Sequence, residues 1–143
     1  MYNAMQRMET VMEYIEENLT GELDFDQILS KVNVSLYEFR RVFSFVVGCP
    51  LSEYIRKRKL SLAALEILGE EHPDLLKISE KYGYSNQSSF SRAFSEYHGF
   101  SPSACVGKNV PIHLFTRPKI EVRVAGVEKV PVWLPFPANA YSS

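Results

Sequence analysis

Two stretches of this chain repeat each other about fifty residues apart, and that repeat limits the fold more than any other feature. Ile28-x-x-Lys31-Val32-Asn33-Val34-Ser35 returns as Ile78-x-x-Lys81-Tyr82-Gly83-Tyr84-Ser85 at an offset of 50. Phe39-x-Arg41-x-Phe43-Ser44 returns as Phe90-x-Arg92-x-Phe94-Ser95 at an offset of 51, and Gly48 and Gly99 close the copies. The extra residue falls among 86–89, where the longer helix of the second copy starts and a length change is easily absorbed. Each copy reads as short helix, tight turn, longer helix, which is the helix-turn-helix plan. A turn that short needs a residue at positive φ; Gly83 adopts it freely and Asn33 at modest cost.

The rest of the chain supplies the frame for the two units. Met5, Met8, Met12, Ile15 and Leu19 alternate at spacings of three and four, predicting a helix over 4–19 that Thr20-Gly21 ends. Asp24 is placed to cap a short helix, Ser35 to cap the next, and Gly48 to end it. Pro50 cannot lie inside a helix, so 51–69 starts afresh as a long connecting helix, basic in its first half and apolar in its second. Asp74 and Asn86 are the next candidate caps, Gly99 the next stop, and Ser101-Pro102 the start of a last short helix. The expected architecture is therefore all-α, with seven helices: two helix-turn-helix units at about 24–47 and 74–98 joined by the long helix. From 108 the character changes, with β-branched or alternating residues at 110–112, 119–124 and 130–133 and prolines at 111, 118, 131 and 135, which predicts a short extended or β tail.

Charge narrows the function. The chain has 143 residues with 16 basic and 17 acidic side chains, a net charge of -1 that on its face argues against a nucleic-acid partner. The charge is unevenly placed, however. Residues 1–34 carry 2 basic and 7 acidic groups, whereas 35–60 carry 6 basic groups (Arg40, Arg41, Arg56, Lys57, Arg58, Lys59) against Glu38 and Glu53. A negatively charged partner could dock on that stretch; a solvated helix face is the plainer alternative.

The longer helix of the second copy buries Phe90, Ala93, Phe94 and Tyr97 and leaves Asn86, Gln87, Ser88, Ser91, Arg92 and Ser95 for a partner. Short polar side chains around one arginine suit a helix entering the major groove, which is ~12 Å wide. Tyr37, Arg40, Arg41 and Ser44 take comparable faces in the first copy. The connecting helix would hold the units at a separation comparable to the ~34 Å turn of B-DNA, so both could read successive groove segments.

Catalysis has no such support. His72, His98 and His113 are dispersed, with no nucleophile elbow, phosphate loop or dinucleotide fingerprint, so no catalytic residue, no metal site and no cofactor is expected. His98 reads as a surface residue near a helix C-terminus, where a cation is favoured. Cys49 and Cys105 form no metal or disulfide pattern, and no apolar run approaches the ~18 residues of a membrane span. A cytoplasmic protein with no membrane partner is the expectation. A non-catalytic helical protein-interaction module, or a truncated regulator that has lost DNA binding, is the competing reading.

Gly83-Tyr84-Ser85-Asn86-Gln87-Ser88-Ser89-Phe90-Ser91-Arg92-Ala93-Phe94, followed by His98-Gly99-Phe100-Ser101-Pro102-Ser103, resembles the signature of the AraC/XylS family of bacterial transcription regulators. Pro50-Leu51-Ser52-Glu53-Tyr54-Ile55-Arg56-Lys57-Arg58-Lys59-Leu60 resembles that family's linker helix. The resemblance implies a DNA-binding domain over 1–107 that regulates transcription, often as an activator contacting RNA polymerase. It implies base contacts from Tyr37, Arg40, Arg41, Gln87, Ser88 and Arg92, with phosphate contacts expected from Ser35, Asn86, Ser91 and Lys57. Leu29 stands where the family usually has a small residue, Asn33 replaces its glycine, and Ala104-Cys105-Val106 replaces its usual aromatic and arginine. Residues 108–143 resemble the beginning of a GyrI-like effector-binding domain, and a small-molecule effector would require that domain in full. As they stand, they are expected to pack on the helices, stay flexible, or be a truncated remnant.

Overall fold

The computed structural model describes residues 3–108, 110–118, 120–125 and 128–133. Among them are seven helices: α1 (Ala4–Glu17), α2 (Phe25–Val32), α3 (Leu36–Val47), α4 (Leu51–Leu68), α5 (Leu75–Lys81), α6 (Gln87–His98) and α7 (Pro102–Cys105). An antiparallel hairpin of β1 (Ile120–Ala125) and β2 (Glu128–Trp133) follows, with Pro131 opposite Val122. The all-α architecture with an extended tail is the one expected. No helix among the described residues is long and apolar enough to cross a membrane.

Local chemistry sets the helix ends. Asp24, Ser35, Asp74 and Asn86 each accept the backbone N–H three residues on, satisfying a donor that the first turn leaves orphaned. α1 stops two residues short of the expected Leu19. The Asn18 side-chain amide donates to the Tyr14 carbonyl at 2.8 Å and closes the helix there, while Leu19 turns into the core and remains 2% exposed.

Two hydrophobic clusters divide the molecule. Met8, Val11, Met12 and Ile15 of α1 join Leu29 and Val32 of α2, Phe39 and Phe43 of α3, and Leu51 and Tyr54 from the first half of α4. Leu60, Ala63, Ala64 and Ile67 from the second half of α4 join Ile78, Phe90, Phe94 and Cys105. Because α4 serves a different cluster at each end, its buried residues do not form a single stripe, and one continuous helix carries both units.

Residues 110–118 lie across α4 and contribute to both clusters, through Ile112 in the second and Phe115 in the first. Of the three fates expected for the tail, this stretch takes the first. Tyr54, Arg58 and Ser61, at i, i+4 and i+7, present one face of α4 to it. The Phe115 ring meets Tyr54 edge-on at 5.8 Å, its N–H donates to Ser61 Oγ at 2.8 Å, and its carbonyl accepts from Arg58 at 2.8 Å. Ser61 Oγ in turn donates to the His113 carbonyl at 3.2 Å.

Arg58 fits neither reading of the basic stretch, a docking face or a solvated one. Its guanidinium grips Glu16 of α1, with Nη2 2.6 Å from Oε1, and Tyr54 donates its hydroxyl to the same carboxylate at 3.0 Å. Burial alone would lower the proton affinity of Arg58, but the charge and hydrogen bonds of Glu16 outweigh it and hold the guanidinium firmly protonated. Burial, reinforced by Glu16, pushes the Tyr54 phenol far above its ordinary value.

His98 is a second correction. It is 2% exposed rather than on the surface, with Nε2 3.0 Å from the Leu60 carbonyl and the His113 N–H on Nδ1 at 3.1 Å. Burial in the α4–α6 contact holds its pKa below the ordinary value, so the helix-end preference for a cation loses to desolvation.

Candidate nucleic-acid interface

The two turns are built alike, bond for bond. In the first, the N–H of Val34 donates to the Leu29 carbonyl at 3.1 Å and that of Asn33 to Ser30 at 3.2 Å. In the second, Tyr84 donates to Ser79 at 3.0 Å and Gly83 to Glu80 at 3.0 Å, fifty residues on. Both are Schellman closures, which require the left-handed residue that Asn33 (φ 57°) and Gly83 (φ 86°) provide. Asn33 thus takes up the glycine's role. Leu29 and Ser79 occupy matching buried sites; the first unit fills its site with a leucine side chain, and in the second the Ser79 hydroxyl donates to the Leu76 carbonyl.

Each turn presents the longer helix with its polar face outward. On α3, Phe39 and Phe43 are buried, whereas Tyr37 is 70% exposed and Arg40, Arg41 and Ser44 are open to solvent. The Arg41 guanidinium lies over the Tyr37 ring, 5.7 Å from its centroid, which orients both side chains along the outer face. On α6, Phe90 and Phe94 are buried with their rings tilted and 5.6 Å apart, while Gln87, Ser88 and Arg92 are exposed and Ser91 is half-buried. Tyr84 closes on Phe90 edge-on at 5.4 Å, fixing the start of α6 against its turn.

The remaining expected contacts differ in availability. Ser35 and Asn86 use a side-chain oxygen as a cap acceptor, which leaves the Ser35 O–H and the Asn86 amide N–H groups as donors beside the helix N-termini, where anions are favoured. Lys57 is half-buried on α4, 3.0 Å from Glu53, with its ammonium over the Phe115 ring. The structure thus gathers Tyr37, Arg40 and Arg41 on one exposed face and Gln87, Ser88 and Arg92 on another, while Lys57 stands apart on the connecting helix. Of the basic stretch, Arg40, Arg41 and Arg56 remain exposed. Lys59 is partly buried and its pKa lowered by desolvation.

Sequence reasoning overlooked Phe45. It is 91% exposed, lies off the Phe39–Phe43 stripe, and follows Tyr37 and Arg41 at i+8 and i+4. That spacing was the available signal.

Residues 28–106 match a family described as "Helix-turn-helix domain". The chain is 39% identical over 93 residues to the HTH-type transcriptional activator AarP of Providencia stuartii, covering 65% of this chain and 68% of that protein. It is 36% identical over 98 residues to the regulatory protein SoxS of Salmonella typhimurium, covering 68% and 91%. Among solved structures, the C-terminal domain of AraT, a response regulator from Geobacillus stearothermophilus, superposes with a TM-score of 0.61 at 26% identity, covering 69% of this chain and 82% of that one.

Proposed function

The chain belongs to the AraC-type helix-turn-helix family of DNA-binding transcription regulators, and from that membership we propose that it binds double-stranded DNA by laying α3 and α6 into successive segments of the major groove. The single observation that carries this reading is the duplicated turn: two equivalent Schellman closures each hold a helix that exposes arginine and other polar side chains. Tyr37, Arg40 and Arg41 read base edges in one segment and Gln87, Ser88 and Arg92 in the other. Ser35, Asn86 and Ser91 hold phosphates, and Lys57 does so by exchanging Glu53 for the backbone. The DNA-binding unit occupies 1–107, and 108–143 is the entry into an effector-binding domain that would take a small molecule. Activation through RNA polymerase, in the cytoplasm, is the expected output; the activator AarP supports that direction.

The test is selection of bound fragments from random DNA, followed by affinity for the selected duplex across a salt series. Counterion release predicts a linear fall of log affinity with log salt, with a slope near ~0.9 per phosphate neutralised. Retention of no fragment above that seen with a neutral control protein at low salt overturns the reading.

A further inference from the structure

The outer face of α3 ends in an apolar group that neither phosphate binding nor hydrogen-bonded base reading uses. Tyr37, Arg41 and Phe45 follow one another at intervals of four, forming a single row along the helix. Phe45 is 91% exposed, and Val42 beside it is 50% exposed. The same position in the second unit, 51 residues on, is Glu96, so the bare ring is a property of the first unit alone. Phe45 offers no donor to a phosphate. The apolar feature that a duplex presents in its major groove is the C5-methyl group of thymine.

We propose that Phe45 is a specificity-determining residue of the first unit, which reads a thymine methyl at the far end of the segment contacted by α3. The inference rests on the DNA-binding reading and extends it. Arg41 and Phe45 are four residues apart, or about 6 Å along the axis at 1.5 Å per residue, which is about two base pairs at a 3.4 Å rise. The thymine therefore lies within about two base pairs of the position that Arg41 reads. Continuity with the reading row favours DNA as the occupant: Arg41 already lies against Tyr37, so a partner approaching one end of the row meets the other.

The experiment uses the full chain and the duplex selected from random DNA, with each thymine replaced in turn by deoxyuridine, which removes only the methyl group. Deoxyuridine at one or two thymines in the α3 half of the site is expected to weaken binding by roughly fourfold, the weight of one buried methyl group. Phe45→Ala abolishes that penalty while leaving the helical circular dichroism unchanged, and Phe45→Leu retains it. An equal penalty in the wild type and Phe45→Ala, or no penalty at any thymine, overturns the role of Phe45 and leaves the DNA-binding reading standing. Failure to bind any duplex overturns both.

Discussion

His98 and His113 meet through one directed hydrogen bond, in which the backbone N–H of His113 donates to Nδ1 of His98 at 3.1 Å. Since Nδ1 is the acceptor, Nε2 carries the proton and donates to the Leu60 carbonyl. The neutral ring is therefore fixed between α4, the C-terminal end of α6 and the segment 110–118. A second proton has no place except on Nδ1, where it would face the His113 N–H.

Stability should fall on mild acidification. Burial lowers the His98 pKa in the folded state, against an ordinary value of 6.5; the Leu60 hydrogen bond opposes that and His113 adds to it. The unfolded chain thus binds more protons below 6.5, so stability is fully present above that value and is lost as pH falls through it toward the lower folded pKa. Urea midpoints at pH 7.5 and 5.5 measure this, and His98→Gln should flatten the difference. An unchanged difference in His98→Gln would assign the effect to other groups.

Phe115→Ala should cost about 3 kcal/mol, the usual loss for a buried aromatic side chain. Phe115 is 6% exposed and meets Tyr54 of α4 edge-on. Thermal unfolding followed by circular dichroism reads the loss, and a chain ending at 108 should show a loss at least as large. Equal stability of that shortened chain and the whole would mean that the segment adds nothing to the helices.

Arg58→Met should be destabilising by about 2 kcal/mol because it leaves the partly buried Glu16 carboxylate with only the Tyr54 hydroxyl. The double variant Arg58→Met with Glu16→Gln should recover much of the loss. Additive losses in that double-mutant cycle would show the pair to be uncoupled.

Arg92→Ala should lose roughly 1 to 3 kcal/mol on the selected duplex and relax base preference at one position. Lys57→Ala should weaken selected and scrambled duplexes alike. Equal losses on both duplexes for Arg92→Ala would refute base reading by that side chain.

Much of the fold was legible because the signals that set it are local. Asp24, Ser35, Asp74 and Asn86 cap helices through atoms three residues away, and Asn33 and Gly83 close turns within six. The exposed faces of α3 and α6 followed from the same periodicity. Arg58, Ser61 and His98 were misread or missed for the opposite reason. Arg58 reaches Glu16 across 42 residues and Ser61 reaches Phe115 across 54. His98 reaches Leu60 across 38. A basic run and a histidine at a helix end look solvent-facing by local rules; α1, α4 and the segment 110–118, all distant in sequence, reverse that. Phe45 went unnoticed because an apolar residue in an amphipathic helix reads as core until its angular position is compared with Phe39 and Phe43.

Arg117 reaches back to Glu9, with Nη2 2.6 Å from Oε1 across 108 residues. During synthesis at ~5 to 20 residues per second, the first helix would wait roughly 5 to 20 seconds for that partner. Until then Glu16 already holds Tyr54 and Arg58, but Ser61 and the outer edge of that face of α4 lack the segment 110–118, and the nascent chain holds two nearly assembled units without the piece that spans them.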